Sequence, residues 1–275
     1  MEIKSVLKSS GLNRKLRNIS CLYLACLSVL FLPNVLYSQN IVGGTTILIH
    51  RNELGLFIGA DSKVIGNGVP SPIPVCKIQV RSGVVFFGAG LIIVTPFYNC
   101  YDIADSIIDR SGTLQEIALR FRAKIMSLQD TLDAFRQAAP AQFEKIFRRE
   151  FFSFAFVKHE GGNNVLAGFS FRLKMLPSNH VAIECDSEFG SDVPKSTEVY
   201  GEHSAIFAAF NRAHADLIAE SKTPIDIASV MQRLIHLQCE ATPEYVGEPI
   251  YVVWIRPDGD VRWVIKNAPC QQLQE

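Results

Sequence analysis

A threonine, an aspartate and a lysine at set spacings carry the chemistry that this sequence offers. Thr45 follows Gly44 at the head of the first strand-like segment, Asp61 lies 16 residues later, and Lys77 lies 16 residues after Asp61. If the chain is cut between Gly44 and Thr45, Thr45 carries both a hydroxyl nucleophile and a free α-amine. The amine can act as the general base, so this one residue can perform acyl transfer without a histidine.

Each of the other residues can support that nucleophile. Lys77 would place a cation beside the Thr45 oxygen and favour the developing alkoxide. Asp61 would hold the lysine charged, because an unpaired buried lysine tends to lose its proton. Backbone N–H groups around Gly88-Ala89-Gly90 are predicted to line an oxyanion hole, since glycine lets the backbone approach a substrate closely. Gly44 offers little hindrance to attack on its own carbonyl, which predicts self-cleavage before Thr45.

The elements that must position these residues come in blocks of strands and blocks of helices. Strands are predicted at 47–50, 54–59, 77–80, 84–87, 151–158, 165–171, 180–184, 249–255 and 261–265, and helices at 97–109, 113–128, 130–149, 204–219 and from Pro224 onward. Thr113 and Glu116 form a capping-box pattern, and Pro140 interrupts the third helix. Blocks of this kind predict an α+β fold of antiparallel sheets with helices packed outside them, not a doubly wound parallel sheet.

The first 38 residues differ from the rest of the chain. Five basic residues precede an apolar run over 21–36, and a small residue follows at Ser38. This layout predicts a secretory signal peptide over 1–38 and export to the periplasm or the exterior. A signal anchor retained in the membrane is the alternative, and the membrane is otherwise not a predicted partner. A short propeptide over 39–44 and one hydrolase domain over 45–270 would follow.

Charge and cysteine usage exclude several function classes. The residues after 38 contain 22 basic and 26 acidic side chains, which argues against a basic face for nucleic acid. Five scattered cysteines remain in that part of the chain, with no CxxC or Cys/His spacing that would hold a metal. The odd count favours buried free thiols over a disulfide framework, and no cofactor or metal is predicted. The five are Cys76, Cys100, Cys185, Cys239 and Cys270.

Four short motifs together resemble the proteasome β-subunit family of N-terminal nucleophile (Ntn) hydrolases. They are Thr45-Thr46-Ile47, Gly59-Ala60-Asp61-Ser62, Lys77-Ile78 and Gly88-Ala89-Gly90, in the family's order. The resemblance is close over 44–90 and continues beyond as element order only. It implies a four-layer αββα sandwich and a self-processed threonine endopeptidase acting on peptides or proteins. It also implies a homo-oligomer, possibly a ring.

The resemblance assigns further residues by position. The last glycine of the turn supplies the family's oxyanion N–H, which implies that role for Gly90. Val64 and Val75 fall near the specificity pocket and imply cleavage after apolar residues. Ser204 answers to one of two serines that flank the family's site, and Glu202 stands in place of the other. Glu244 answers to a supporting acid.

Two departures keep other functions open. Glu202 stands where the family usually has a serine, and the segment that ends at Gly247 lacks the serine that usually follows the family's acid. Both serines help to orient the nucleophile's amine. These changes put the reaction rate in question and motivate a non-catalytic, ring-forming scaffold as an alternative. An amidase of the same fold that acts on small amides is the other alternative, because the same nucleophile serves both reactions.

Overall fold

The strands pair as the apolar segments predict, and several short strands are added to them. The computed structural model describes residues 41–42, 45–66, 69–70, 75–95, 97–109, 112–147, 151–177, 180–190, 196–209 and 221–266. The strands in these ranges are β1 Ile41–Val42, β2 Thr46–Asn52, β3 Gly55–Ala60, β4 Ile65–Gly66, β5 Val69–Pro70, β6 Ile78–Arg81, β7 Val84–Gly90, β8 Ile93–Val94, β9 Tyr98–Asn99, β10 Phe152–Glu160, β11 Asn163–Met175, β12 Val181–Gly190, β13 Ser196–Gly201, β14 Tyr251–Ile255 and β15 Val261–Ile265. The helices are α1 Cys100–Ile107, α2 Leu114–Met126, α3 Gln129–Ala138, α4 Pro140–Ile146, α5 Ser204–Ala209 and α6 Pro224–Ala241.

Two five-stranded sheets form the body of the molecule. One has the strand order β13-β2-β3-β14-β15 and the other β12-β11-β10-β7-β6. Every pairing within them is antiparallel, which confirms the prediction of antiparallel sheets with helices. β13 was not predicted, because its residues are all half-buried or exposed and show no apolar alternation.

Alternate residues of the strands face two different cores, as the period of two in a strand requires. Ile47 on β2 and Phe87 on β7 belong to a cluster that both sheets share. Leu48 faces the opposite way and packs with residues of α6, whereas Phe86 packs with residues of α1, α2 and α3. Each sheet therefore packs one face on the other sheet and the second face on helices.

The helix signals in the sequence mark real helix ends. The Thr113 side chain accepts from the Glu116 N–H, and Glu116 accepts in return from the Thr113 N–H, so the capping box before α2 is confirmed. The Thr223 side chain caps α6 by accepting a hydrogen bond from the Asp226 N–H. Pro140 opens α4 and separates it from α3. The helix predicted over 204–219 begins at Ser204 as α5, and residues 210–219 lie outside the described residues.

The prediction of buried free thiols is correct for Cys100 and Cys239 and wrong for Cys76, which is disulfide-bonded. Cys185 is free but half-buried, and Cys270 lies outside the described residues. Cys76 is buried against Tyr251 and Trp263, one residue before Lys77. An odd cysteine count permits a single disulfide beside several unpaired thiols, so counting alone could not distinguish this case.

The predicted signal peptide over 1–38 lies outside the described residues. So does most of the predicted propeptide over 39–44, of which only β1 is described. Asn40–Glu275 forms one compact unit. Among the helices of the described residues, none has the length and apolar character needed to cross a membrane.

A buried histidine ties the stability of the first sheet to pH. His50 on β2 is only 7% exposed, and its Nδ1 lies 3.0 Å from the Thr197 hydroxyl on β13. No described residue is a hydrogen-bond partner of its Nε2. Burial lowers the pKa of His50 to about 4, and the nearby Glu53 carboxylate opposes this shift only partly. The folded protein therefore keeps this imidazole neutral.

We expect acid to destabilise the fold through His50. The unfolded chain binds the proton more tightly, so the stabilising contribution is complete above the ordinary histidine pKa and is lost as pH falls toward 4. The shift corresponds to about 3 kcal/mol of unfolding free energy. Urea unfolding at about pH 7 and about pH 4.5 should show a smaller acid loss in His50→Gln than in the wild type. An equal loss in both proteins would contradict this assignment.

Candidate active site

A buried ion pair joins the predicted aspartate and lysine. Asp61 follows the last residue of β3, and Lys77 precedes the first residue of β6. Lys77 Nζ lies 3.0 Å from both carboxylate oxygens, and both side chains are 0% exposed. Burial lowers the pKa of Lys77, and the Asp61 carboxylate is the main influence that opposes this shift. The aspartate and the lysine that the sequence analysis paired are therefore in contact.

The Asp61 carboxylate also accepts three backbone hydrogen bonds. Thr46 N–H donates to Oδ1 at 2.8 Å, while Lys63 N–H and Gly247 N–H donate to Oδ2 at 3.1 and 3.2 Å. Buried charges need such donors, because desolvation of an unsatisfied carboxylate is costly. The carboxylate thus connects the strand of the predicted nucleophile, the lysine and the segment after α6.

Thr45 lies directly before β2 and is 1% exposed. Its carbonyl accepts a hydrogen bond from the Glu202 N–H at 2.8 Å, and the Thr46 hydroxyl donates to the Glu202 carbonyl at 2.5 Å. The turn after β13 therefore holds both threonines through its main chain. Gly201, the last residue of β13, has φ +80°, and a Cβ there would lie 1.9 Å from the Thr45 carbonyl oxygen. Only glycine fits that position.

The Gly88-Ala89-Gly90 segment was predicted to form a turn after the strand over 84–87. It instead forms the last three residues of β7. Gly90 has φ +93°, and a Cβ there would lie 2.9 Å from the Phe152 Cα. The Ala89 side chain lies beside Gly201, 3.3 Å from where a Cβ would stand on that glycine. The segment is thus close to the turn that binds Thr45.

The other predicted site residues occupy more peripheral positions. Ser204 is the first residue of α5 and is exposed, and Glu244 is exposed in the segment after α6. Val64 is buried and Val75 half-buried against the same helix-covered core. Gly44, the predicted cleavage site, lies outside the described residues.

Several contacts that hold the site were not predicted, because residue type reveals neither a main-chain donor nor the partner of a buried tyrosine hydroxyl. The N–H of Gly247 binds Asp61, and its carbonyl accepts from Ser62 N–H at 3.2 Å. In the sequence, Gly247 appeared only as part of a segment that departs from the family. The φ and close packing of Gly201, and the hydroxyl of Tyr101 on α1, likewise have no local sequence signal.

The segment before Thr45 pairs as a strand beside this site. β1 runs antiparallel to β8, with Ile41 opposite Val94 and Val42 opposite Ile93. β8 begins three residues after Gly90. A peptide attached to the amino side of Thr45 is thus held by main-chain pairing close to the predicted oxyanion segment.

No group of three or more His, Cys, Asp or Glu side chains in the described ranges is arranged to hold a metal ion. The chain matches no protein-family model, and a search of curated proteins finds no match to it.

We expect Asp61→Asn to destabilise the protein strongly. The substitution leaves the buried Lys77 ammonium without its counter-ion, and breaking a buried pair costs about 3–5 kcal/mol. Urea unfolding measures this loss. Glu184→Gln is the matched control, because it removes an ion pair with Lys174 in which both side chains are more than half exposed. Similar losses of unfolding free energy in the two variants would contradict the prediction, because they would show that burial does not increase the contribution of the Asp61–Lys77 pair to stability.

Proposed function

We propose that this protein is a self-processing N-terminal threonine peptidase with the Ntn hydrolase fold, similar to a proteasome β-subunit. The observation that carries the proposal is the Thr46 N–H bond to Asp61, which joins the residue after Thr45 to the buried Asp61–Lys77 pair. Two antiparallel sheets that share a core and carry helices on their outer faces support the four-layer αββα arrangement.

Self-processing begins in the proposal with Thr45 Oγ attacking the Gly44 carbonyl carbon. The C–N bond to Thr45 breaks, an ester forms on Oγ, and the Thr45 nitrogen takes up the hydroxyl proton. Water then hydrolyses the ester, which gives a Gly44 carboxylate and a Thr45 with both its hydroxyl and a free α-amine. Glycine before the nucleophile imposes the least steric hindrance on this attack.

The same residue then acts on substrates. The α-amine of Thr45, with a reference pKa of about 7.7–8.0, accepts the hydroxyl proton near neutral pH and later returns it to the leaving amine. The Lys77 ammonium stabilises the negative charge that develops on oxygen, and Asp61 keeps that ammonium in place. The Gly90 N–H is the proposed oxyanion donor. Water releases the acyl group and regenerates the enzyme.

A peptide substrate is favoured over a small amide by the antiparallel pairing of β1 with β8. The chain's own peptide on the amino side of Thr45 uses main-chain hydrogen bonds that any extended peptide can make. A small amide would leave those strand groups unused.

Mass spectrometry of the purified full-length chain tests the nucleophile. We expect the wild type to yield an N-terminus at Thr45, and Thr45→Ala to keep the residues before it. Thr46→Ser is the matched control and should still be cut before Thr45. An identical N-terminus upstream of Thr45 in the wild type and in Thr45→Ala would refute self-processing.

Fluorogenic assays then separate the candidate activities. The processed wild type should cleave peptides with an apolar residue before the scissile bond, with Lys77→Ala reducing kcat by about 100-fold or more. Small amides should be poor substrates. Cleavage of small amides alone would identify an amidase, and a processed protein inactive on both would indicate a scaffold.

We propose that the mature protein works in an exported, oxidising compartment. The disulfide of Cys76 supports this, because disulfides persist in such compartments and are rare in the cytosol. Fractionation of cells that express the full chain should place the Thr45-started form outside the cytoplasm. Its recovery in the cytosol with Cys76 reactive toward maleimide would overturn the proposal.

A further inference from the structure

The hydroxyl of a buried tyrosine lies between Lys77, directly before β6, and Gly88 on β7. Tyr101 on α1 is 4% exposed, and its hydroxyl donates to the Lys77 carbonyl at 2.9 Å. The backbone N–H of Gly88 interacts with the hydroxyl oxygen of Tyr101. One hydroxyl therefore links Lys77 to the segment that ends at Gly90.

The surroundings of Tyr101 show that the hydroxyl is not needed for packing. Its ring lies 6.3 Å from that of Phe86 and 5.8 Å from that of Phe154, in a core formed largely by phenylalanines. A phenylalanine would fill the same volume, and a buried hydroxyl costs free energy unless it is hydrogen-bonded. Burial raises the pKa of Tyr101, so the group remains a neutral donor.

The position of this hydroxyl is set by the end of a strand ladder. β6 and β7 pair from Arg81 with Val84 to Ile78 with Phe87, and the next two residues outward are Lys77 and Gly88. The Tyr101 oxygen contacts the carbonyl of one and the N–H of the other. It thereby extends the connection between the strands beyond their last pair, at the point where the ion pair begins.

We propose that Tyr101 is a positioning residue that sets the Lys77 ammonium relative to the Gly88–Gly90 segment. The inference rests on the proposed function for its catalytic meaning, while its structural content concerns Lys77 alone. Without the hydroxyl, the Lys77 carbonyl loses this hydrogen bond from α1, and the connection that the hydroxyl makes to Gly88 is also lost. The hydrogen bonds from the Lys77 ammonium to Asp61 are then weakened, and the ammonium is held less firmly beside the Thr45 hydroxyl oxygen.

The titration of Lys77 reports this position directly. The groups that influence it are Asp61, Lys63 and Cys239, with the Tyr101 hydroxyl on its carbonyl. Contact with Asp61 raises the pKa of Lys77, and burial lowers it. Loosening of the Asp61 contact should therefore lower that pKa further.

The experiment compares Tyr101→Phe with Tyr98→Phe. Tyr98 is also buried, and its hydroxyl donates to the Leu91 carbonyl at 2.7 Å, so its variant loses a similar bond in the same core. Lysine labelled at Cε is titrated by NMR in the full chain carrying Thr45→Ala, with the Lys77 signal assigned by Lys77→Arg. In the processed enzyme, kcat and KM are measured separately.

We expect Tyr101→Phe to lower the pKa of Lys77 by about half a unit or more, and Tyr98→Phe to leave it unchanged. In the active enzyme, Tyr101→Phe should lower kcat by about tenfold with KM within about threefold. If Tyr101→Phe does not fold, 3-fluorotyrosine at position 101 keeps the ring and makes the hydroxyl a stronger donor to the Lys77 carbonyl, and should shift the pKa of Lys77 upward, opposite to the loss of the hydroxyl.

The outcomes separate this inference from the proposed function. A wild type that is neither processed nor active, with Lys77 shifted only by the change at Tyr101, would refute the peptidase and support the positioning role. An unchanged Lys77 titration in Tyr101→Phe, or an equal shift in Tyr98→Phe, would overturn the positioning role whatever the activity.

Discussion

The buried pair of Asp61 and Lys77 is the interaction on which the rest of the site depends. Two charged side chains at 0% exposure are stable only if their hydrogen-bonding groups have partners. Here the surrounding elements supply backbone N–H donors to the Asp61 carboxylate. β2 contributes the Thr46 N–H, and the segment after α6 contributes the Gly247 N–H. The ion pair therefore requires both sheets and the segment after α6 to be in place together.

This dependence explains which parts of the fold were predictable. β2, β3, β6 and β7 are apolar segments of ordinary length separated by turn residues, and α2 carries its own capping box, so local patterns were sufficient. β13 could not be predicted in the same way. It lies at a sheet edge with no buried face, and its pairing with β2 is decided by tertiary contacts.

The site divides along a similar line. The Asp61–Lys77 pair was predictable because a buried lysine needs an acidic partner to stay charged, and because the motifs that contain both residues resemble those of a known family. Gly201, Gly247 and Tyr101 were not, since the first two act through the main chain and the third resembles any apolar helix residue. The Cys76 disulfide was missed because pairing among scattered cysteines depends on distance in the fold.

The turn at Gly201-Glu202 has a consequence for how this protein can change over evolutionary time. Its hydrogen bonds to Thr45 and Thr46 use only the N–H and carbonyl of Glu202, so they place no demand on the side chain at that position. Position 201 is different, because any Cβ would overlap the Thr45 carbonyl. Substitution of Gly201 would therefore disrupt the site, whereas the side chain at position 202 can vary without loss of these hydrogen bonds. A divergent side chain at 202 is compatible with an intact scaffold around the threonine.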